Sequence, residues 1–398
     1  MALSYFTSVS IGIIRKLYIF VNRRREELIE DIIKSVWTKI RLKLPSYEEE
    51  WVGIDSRVEK ISSLLKLELK DMVHFIGIWG MGGIGKTTLA RVVFKKICSQ
   101  FDICCFLENV REISGKTHDM LTLQITLLSH MEVKEFTIQN LEEGKIVIGG
   151  ILRNNRVLLV LDDVDDARQL DSLGVNDRGK FGPGSRIIVT TRDMEVLKPH
   201  GNFEICKIDL LNSDESLQLF CQKAFRREKP SEQLLQLSKV AVQQAGGLPL
   251  ALEMMGSSFC GRNESQWKEF LDMKEYSKKD TVMEKLMISY HGLPESYQIL
   301  FLDIACFFNG WVKEHVEQIL TICCRCPANG IDVLIDKSLA TCDGSRLGMH
   351  DLLQEMGRKI VVEKCLIDAG KRSRLWSPHD IDQALKRNKV RFLIFKFI

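Results

Sequence analysis

The sequence predicts an α/β domain, a parallel sheet with helices on both faces, followed by a helical bundle and a winged-helix domain. Three observations carry this. Between residues 51 and 195, short apolar runs suited to buried strands alternate with segments of helical spacing. Beyond that point the apolar period lengthens to the helical one. Near the end of the chain a hairpin signal, SLATCDGSRLGM with Asp343 and Gly344 at its turn, is set among helices.

In chain order, residues 1–50 read as an N-terminal stub with a connector helix, EELIEDIIKSVWTKI. The opening MALSYFTSVSIGII is apolar, but Arg15, Lys16 and Arg23 to Arg25 follow it, the reverse of a secretory signal. It is also too short to span a bilayer, so no membrane partner is expected. Residues 51–205 hold the strand candidates HFIGIW, CCFLENV, RVLLVLDD and RIIVTT. Residues 206–275 carry SDESLQLFCQKAF, LLQLSKVAVQQAGG and LPLALEMMGSSFCG, where Gly246, Gly247 and Pro249 stop one helix and start the next. Residues 276–376 hold further helices and the hairpin, the pattern of a winged helix, and residues 377–398 read as a linker.

The chain has 398 residues, 45% hydrophobic and 27% charged, with a net charge of +3, a globular composition too weakly basic to mark a nucleic-acid partner. Its 12 cysteines are scattered, as reduced thiols of a cytoplasmic protein are. Cys323, Cys324 and Cys326 lack the paired spacing and the histidines of a zinc site.

The chemistry begins at GMGGIGKTTLA, residues 80–90. Gly80, Gly82, Gly83 and Gly85 precede Lys86, Thr87 and Thr88, between a strand and a helix, in the spacing of a phosphate loop. In such a loop the backbone curls around an anion, the lysine reaches the β and γ phosphates, and the first hydroxyl, here Thr87, ligates Mg²⁺. The strand VLLVLDDVDD ends in a second acidic element, where Asp162 suits the metal and Asp163 suits the attacking water. Asp163 stands where a vigorous ATPase carries glutamate, so hydrolysis is expected to be slow. Arg192, leaving the strand GSRIIVTTRD, can sense a γ-phosphate; its bland alternative is a surface pair with Asp193 or Glu195.

Together, GMGGIGKTTLA, FLENVRE, LLVLDDVDD, GSRIIVTTRD, GGLPLAL, FLDIACFFNG and MHDLLQEMG resemble the NB-ARC module of plant intracellular immune receptors, a branch of the STAND P-loop ATPases. FLENVRE, Asp165 and FLDIACFF resemble the subclass carrying a Toll/interleukin receptor domain. That domain and the leucine-rich repeats are expected to be absent, and with them any NADase activity, while KVRFLIFKFI departs from the usual linker. The resemblance implies that Gly82, Gly83, Ile84, Gly85, Lys86, Thr87 and Thr88 wrap the diphosphate of ADP or ATP, and that Arg57 lies by the adenine. It further implies that Pro249 packs against the base and that His350 reaches the β-phosphate of ADP; helix start and helix cap are their structural alternatives. The function so implied is a nucleotide switch in plant defence, closed with ADP and open with ATP, with full-length receptors or self-association as partners. Two rivals are a productive ATPase and a DNA-binding regulator using Arg358, Lys359, Lys371, Arg372 and Arg374; no DNA partner is expected.

Overall fold

The structure, a computed structural model, describes residues 51–114, 119–131, 138–200, 203–226, 229–272, 282–322, 329–365 and 371–386. The connector helix, the apolar start, the Cys323 cluster and KVRFLIFKFI lie outside these residues.

Helix α1 (Ile54–Leu65) leads into β1 (His74–Trp79), the phosphate loop and α2 (Lys86–Ile97). There follow β2 (Ile103–Leu107), α3 (Val110–Ser114), α4 (Met120–His130), α5 (Leu141–Asn154), β3 (Val157–Val164), α6 (Ala167–Ser172), β4 (Arg186–Thr191) and β5 (Phe203–Lys207). The five strands form one parallel sheet in the order β2-β3-β4-β1-β5. Four match the sequence reading and β5 is additional. It is an edge strand, FEICK, whose charged residues break any apolar run. The candidate CCFLENV stops early: Asn109 adopts a left-handed φ of 52° and Val110 opens α3.

Both faces of the sheet are covered, so the strands read as nearly unbroken apolar runs. Alternation still divides them. Leu158 and Val160 of β3 and Ile76 and Ile78 of β1 join the core that contains α1 and α2, whereas Leu159, Leu161 and Phe75 join the core beneath α4 and α5. Each such fully buried aliphatic side chain contributes about 1.5–3 kcal/mol.

The first of these cores runs on without a break into the helices that follow. These are α7 (Ser213–Phe225), α8 (Glu232–Ala245), α9 (Pro249–Phe259), α10 (Glu264–Asp272), α11 (Val282–His291) and α12 (Glu295–Asp303). A π-helical turn, Ile304–Phe308, extends α12 and precedes α13 (Lys313–Ile322) and α14 (Gly330–Asp336). The antiparallel hairpin β6 (Thr341–Asp343) and β7 (Arg346–Gly348) turns at Asp343 and Gly344, as the sequence reading places it. Helices α15 (Asp351–Glu363) and α16 (Pro378–Lys386) end the described chain, the latter within the segment read as linker.

Candidate nucleotide site

The carboxyl ends of β1, β3 and β4 converge on one cavity of about 790 Å³, a size that suits a small-molecule ligand. Open parallel sheets bind ligands at this edge because the helices that follow the strands present their N-termini there. The cavity is lined by Gly82 to Thr88, Asp162, Asp163, Arg192, Arg57, Pro249, His350 and Asp351. The residues assigned to the phosphate loop, the metal, the base and the β-phosphate thus meet in one place, with the exception of Gly80, which does not line the cavity.

The loop's conformation explains its glycines. Gly83 and Gly85 have φ of 73° and 93°, where side chains are strained. A Cβ on Gly82 would come within 2.9 Å of the Leu352 side chain on α15, so the winged helix lies directly against the loop and a larger residue there would require that side chain to shift. Lys86, 7% exposed, donates to the Gly80 carbonyl at 2.8 Å and the Met81 carbonyl at 2.9 Å. Burial lowers its pKa to about 8, with the Arg192 charge adding to the effect.

Thr87 donates its hydroxyl to the Asp162 carboxylate at 2.9 and 3.0 Å, and Thr190 donates to the same group at 2.6 Å. Burial raises the pKa of Asp162, the two hydroxyls opposing it. Asp163 departs from the extended strand end that the sequence suggests. Its φ is 57°, and the β3–β4 register shifts between Leu161 and Val164. Its amide donates to Thr190 Oγ1 at 2.9 Å, while its carboxylate meets Arg111 Nε at 3.0 Å and Arg192 Nε at 3.3 Å. The two aspartates therefore face different partners, through a bulge rather than through strand alternation.

Arg192 does not form the surface pair with Asp193 or Glu195 that its neighbours offered. It pairs with Asp163, with Asp351 and, at 3.7 Å, with Glu355, and Trp79 Nε1 holds its carbonyl at 3.1 Å. His350 is the N-cap of α15: its Nδ1 lies 3.1 Å from the Leu352 amide and 2.6 Å from Asp351 Oδ1. The side chain is 39% accessible and lines the cavity. Desolvation, with the Arg192 and Lys86 charges, lowers its pKa to about 4.

Pro249 occupies the first turn of α9, and the next residue, Leu250, donates its amide to the Gly83 carbonyl at 3.2 Å. Helix start and cavity wall are compatible roles for Pro249. Arg57 donates to the Gly53 carbonyl and pairs with Glu215 at 3.1 Å, and Glu215 also closes the capping box of α7 through the Asn212 amide at 3.0 Å. Arg57 therefore ties α1 to α7 while lining the cavity. Sequence reasoning missed Glu215, Thr190 and Arg111 as partners; only the S/T/D/N-x-x-E spacing of Asn212 and Glu215 carries a local signal.

The three arginines of the DNA alternative are engaged within the molecule, and its two lysines lie on the surface. Arg374, 5% exposed, pairs with Asp303 at 2.6 Å; Arg372 pairs with Asp380 at 2.8 Å; Arg358 lies over the Trp376 ring; Lys359 sits 3.7 Å from Glu363. Lys371 remains exposed on the surface.

Residues 54–230 match the model of the NB-ARC domain, and residues 295–365 match that of the Roq1-like winged-helix domain of disease resistance proteins. The chain carries an NB-ARC module. It is 40% identical to the TMV resistance protein N of Nicotiana glutinosa over 368 residues, 90% of this chain and 31% of that protein. It is 36% identical to the disease resistance protein RPV1 of Vitis rotundifolia, over 92% of this chain and 26% of the relative. With TAO1 of Arabidopsis thaliana the identity is 37%, over 85% and 28%. The NB-ARC chain thus spans about a third or less of these plant disease resistance proteins. Among solved structures it is similar to a STAND protein with a tetratricopeptide repeat sensor from Pyrococcus horikoshii, with a TM-score of 0.48 and 18% identity over 83% of this chain and 48% of that one. Among the described residues no helix is long and apolar enough to cross a membrane.

Proposed function

We propose that this NB-ARC module is an ADP/ATP switch of plant immune receptor signalling, closed with ADP and open with ATP, acting in the cytoplasm with other receptor chains or further copies of itself. The observation that supports this best is the start of α15 lying across the phosphate loop. Leu352 abuts Gly82, His350 opens onto the cavity and Asp351 pairs with Arg192. The winged helix and the loop therefore share one wall of the site. A ligand whose phosphates favour that arrangement favours closure by its difference in affinity between the two states.

In this reading Lys86 leaves the Gly80 and Met81 carbonyls for the phosphates, and its charge, expensive where it is buried, gains an anion. His350 holds the β-phosphate from the winged-helix side. Thr87 and Asp162 would hold Mg²⁺: both offer hard oxygen donors, already within 3.0 Å of each other, and the carboxylate is buried, so the residues fit the ion. Bound there, it would neutralise charge on the β and γ oxygens. Asp163 is engaged by two arginines, which supports slow rather than productive hydrolysis.

Denaturing the purified protein and identifying the released nucleotide tests the closed state directly, with ADP as the expected result. His350→Ala and Asp351→Val should then raise ATP occupancy and hydrodynamic radius. A lost hydrogen bond to charged phosphate, about 1.5–3 kcal/mol, shifts the preference by about 10 to 150 fold. Folded variants with unchanged ADP preference and unchanged radius would remove the switch role from this motif.

A further inference from the structure

We infer that Arg111 is a positioning residue that sets discrimination of the third phosphate: it holds Asp351 beside Arg192, the guanidinium for which Asp351 and a γ-phosphate compete. The inference rests on the switch reading and assigns a role to a residue outside the phosphate loop and outside both acidic elements.

The geometry is a closed ring of four charges. Arg111 meets Asp163 Oδ2 through Nε at 3.0 Å and donates from Nη2 to Asp351 Oδ2 at 2.8 Å. Arg192 reaches the same two residues, Asp163 through Nε at 3.3 Å and Asp351 through Nη2. Each arginine bridges both aspartates and each aspartate bridges both arginines. The side chains are 29%, 24%, 14% and 20% exposed for Arg111, Arg192, Asp163 and Asp351, so water screens the ring only partly. Three of the four members stand at the ends of β3 and β4 or on α3, within the sheet domain. The fourth, Asp351, opens the helix that covers the phosphate loop.

Two cations balance two anions in the closed ring. Asp163, Arg192 and Asp351 line the cavity, and Arg111 stands behind that wall, acting through the two aspartates. A third phosphate reaching the wall brings further negative charge and a planar fit for guanidinium that a single carboxylate oxygen does not match. Of the two aspartates it repels, Asp163 is fixed by the strand it ends. Asp351 can leave, and α15 leaves with it. ADP ends one phosphate short and brings no rival to this position. Arg111 holds Asp351 in the ring and so sets how strongly a third phosphate must compete.

The test uses the full chain stripped of nucleotide, with dissociation constants for ADP and a non-hydrolysable ATP analogue measured on the parent, Arg111→Ala, Arg111→Lys, Asp351→Asn and the double variant Arg111→Ala with Asp351→Asn. Arg111→Ala should move the preference toward the ATP analogue by about tenfold, a typical coupling between paired side chains. Arg111→Lys, keeping charge without the fork, should move it less. The double variant should go no further than Asp351→Asn alone, because both open the same ring. Two results overturn the inference: an unchanged preference in folded Arg111→Ala, or a double variant whose shift is the sum of the single ones. Should Arg111→Ala fail to fold, an unchanged preference in Arg111→Lys overturns it equally. A parent indifferent to the third phosphate, with His350→Ala also without effect, would instead remove the switch reading itself. A parent that responds to His350→Ala and not to Arg111 variants removes only this inference.

Discussion

Arg186 and Arg192 stand at the two ends of β4 in opposite kinds of surroundings. Arg186 is fully buried and, among the described residues, donates only to backbone carbonyls, those of Leu65 at 2.5 Å, Lys66 at 2.6 Å, Met72 at 2.7 Å, Leu69 and Gly184 at 2.9 Å and Ser185 at 3.0 Å. All lie in the segments that flank β1 and β4. The Arg192 side chain is partly exposed and, among the described residues, pairs with carboxylates drawn from β3 and from the winged helix. Carbonyls fixed in a backbone cannot be exchanged for another partner without unfolding the segment. Carboxylates on separate elements can, if a better anion arrives. The first arrangement suits an anchor and the second suits a sensor.

The largest effect should come from breaking the anchor. Arg186→Leu leaves several carbonyls buried without donors, each worth about 1–3 kcal/mol before relaxation, so a net loss of about 3–5 kcal/mol is expected as a lowered Tm. Nucleotide preference in whatever fraction remains folded should not move. A shifted ADP to ATP preference in Arg186→Leu would erase the distinction between the two ends.

At the sensor end, Lys86→Ala should abolish nucleotide binding while costing the unliganded fold little. Stabilisation by ADP, about 4 kcal/mol at a thousandfold excess over Kd, should disappear from the melting curve. A lysine variant that ADP still stabilises as strongly as the parent refutes the phosphate-loop assignment.

A smaller, divided effect is expected at the end of β3. Asp162→Ala should weaken Mg²⁺-dependent binding by about tenfold or more, the worth of one charge-assisted contact. Asp163→Ala should leave metal dependence intact and slow an already slow hydrolysis. Titrating Mg²⁺ against both variants checks this, and equal losses would contradict the separate partners the bulge gives them.

The smallest effect concerns pH. With a folded pKa of about 4 against an ordinary 6.5, His350 binds fewer protons folded than unfolded between those values. The unliganded closed form should therefore lose stability as pH falls from 6.5 toward 4, damped by water in the cavity onto which the ring opens. Comparing Tm at pH 7 and pH 5 for the parent and His350→Ala tests this: the variant should be the less acid-sensitive of the two. Equal sensitivity would place the titrating group elsewhere.

Much of the site was legible because its chemistry is local. The spacing of Gly80, Gly85, Lys86 and Thr87, the strand before them and the helix after them lie within one short stretch, and phosphate recognition needs nothing more distant. Asp162 and Arg192 were legible for the same reason, each ending an apolar run. The edge strand β5 was not, because a strand with one side unpaired tolerates charge and loses its apolar signature. The left-handed Asp163 was equally hidden, since a bulge answers to its neighbouring strand and not to its own residues.

The amino-acid sequence by itself determined the layered sheet, the phosphate loop, the order of helices and hairpin, and the residue types that line the cavity. These follow from periodicities and turn chemistry that act over a few residues. Only the tertiary structure decided which charges face one another: that Glu215 holds Arg57, that Arg372 and Arg374 pair with Asp380 and Asp303, and that Arg111, 240 residues from Asp351, joins it in a ring with Asp163 and Arg192. Charge pairing has no sequence period. It is settled by whichever opposite charge the packed elements bring within about 4 Å, and that distance exists only where the winged helix packs against the sheet domain.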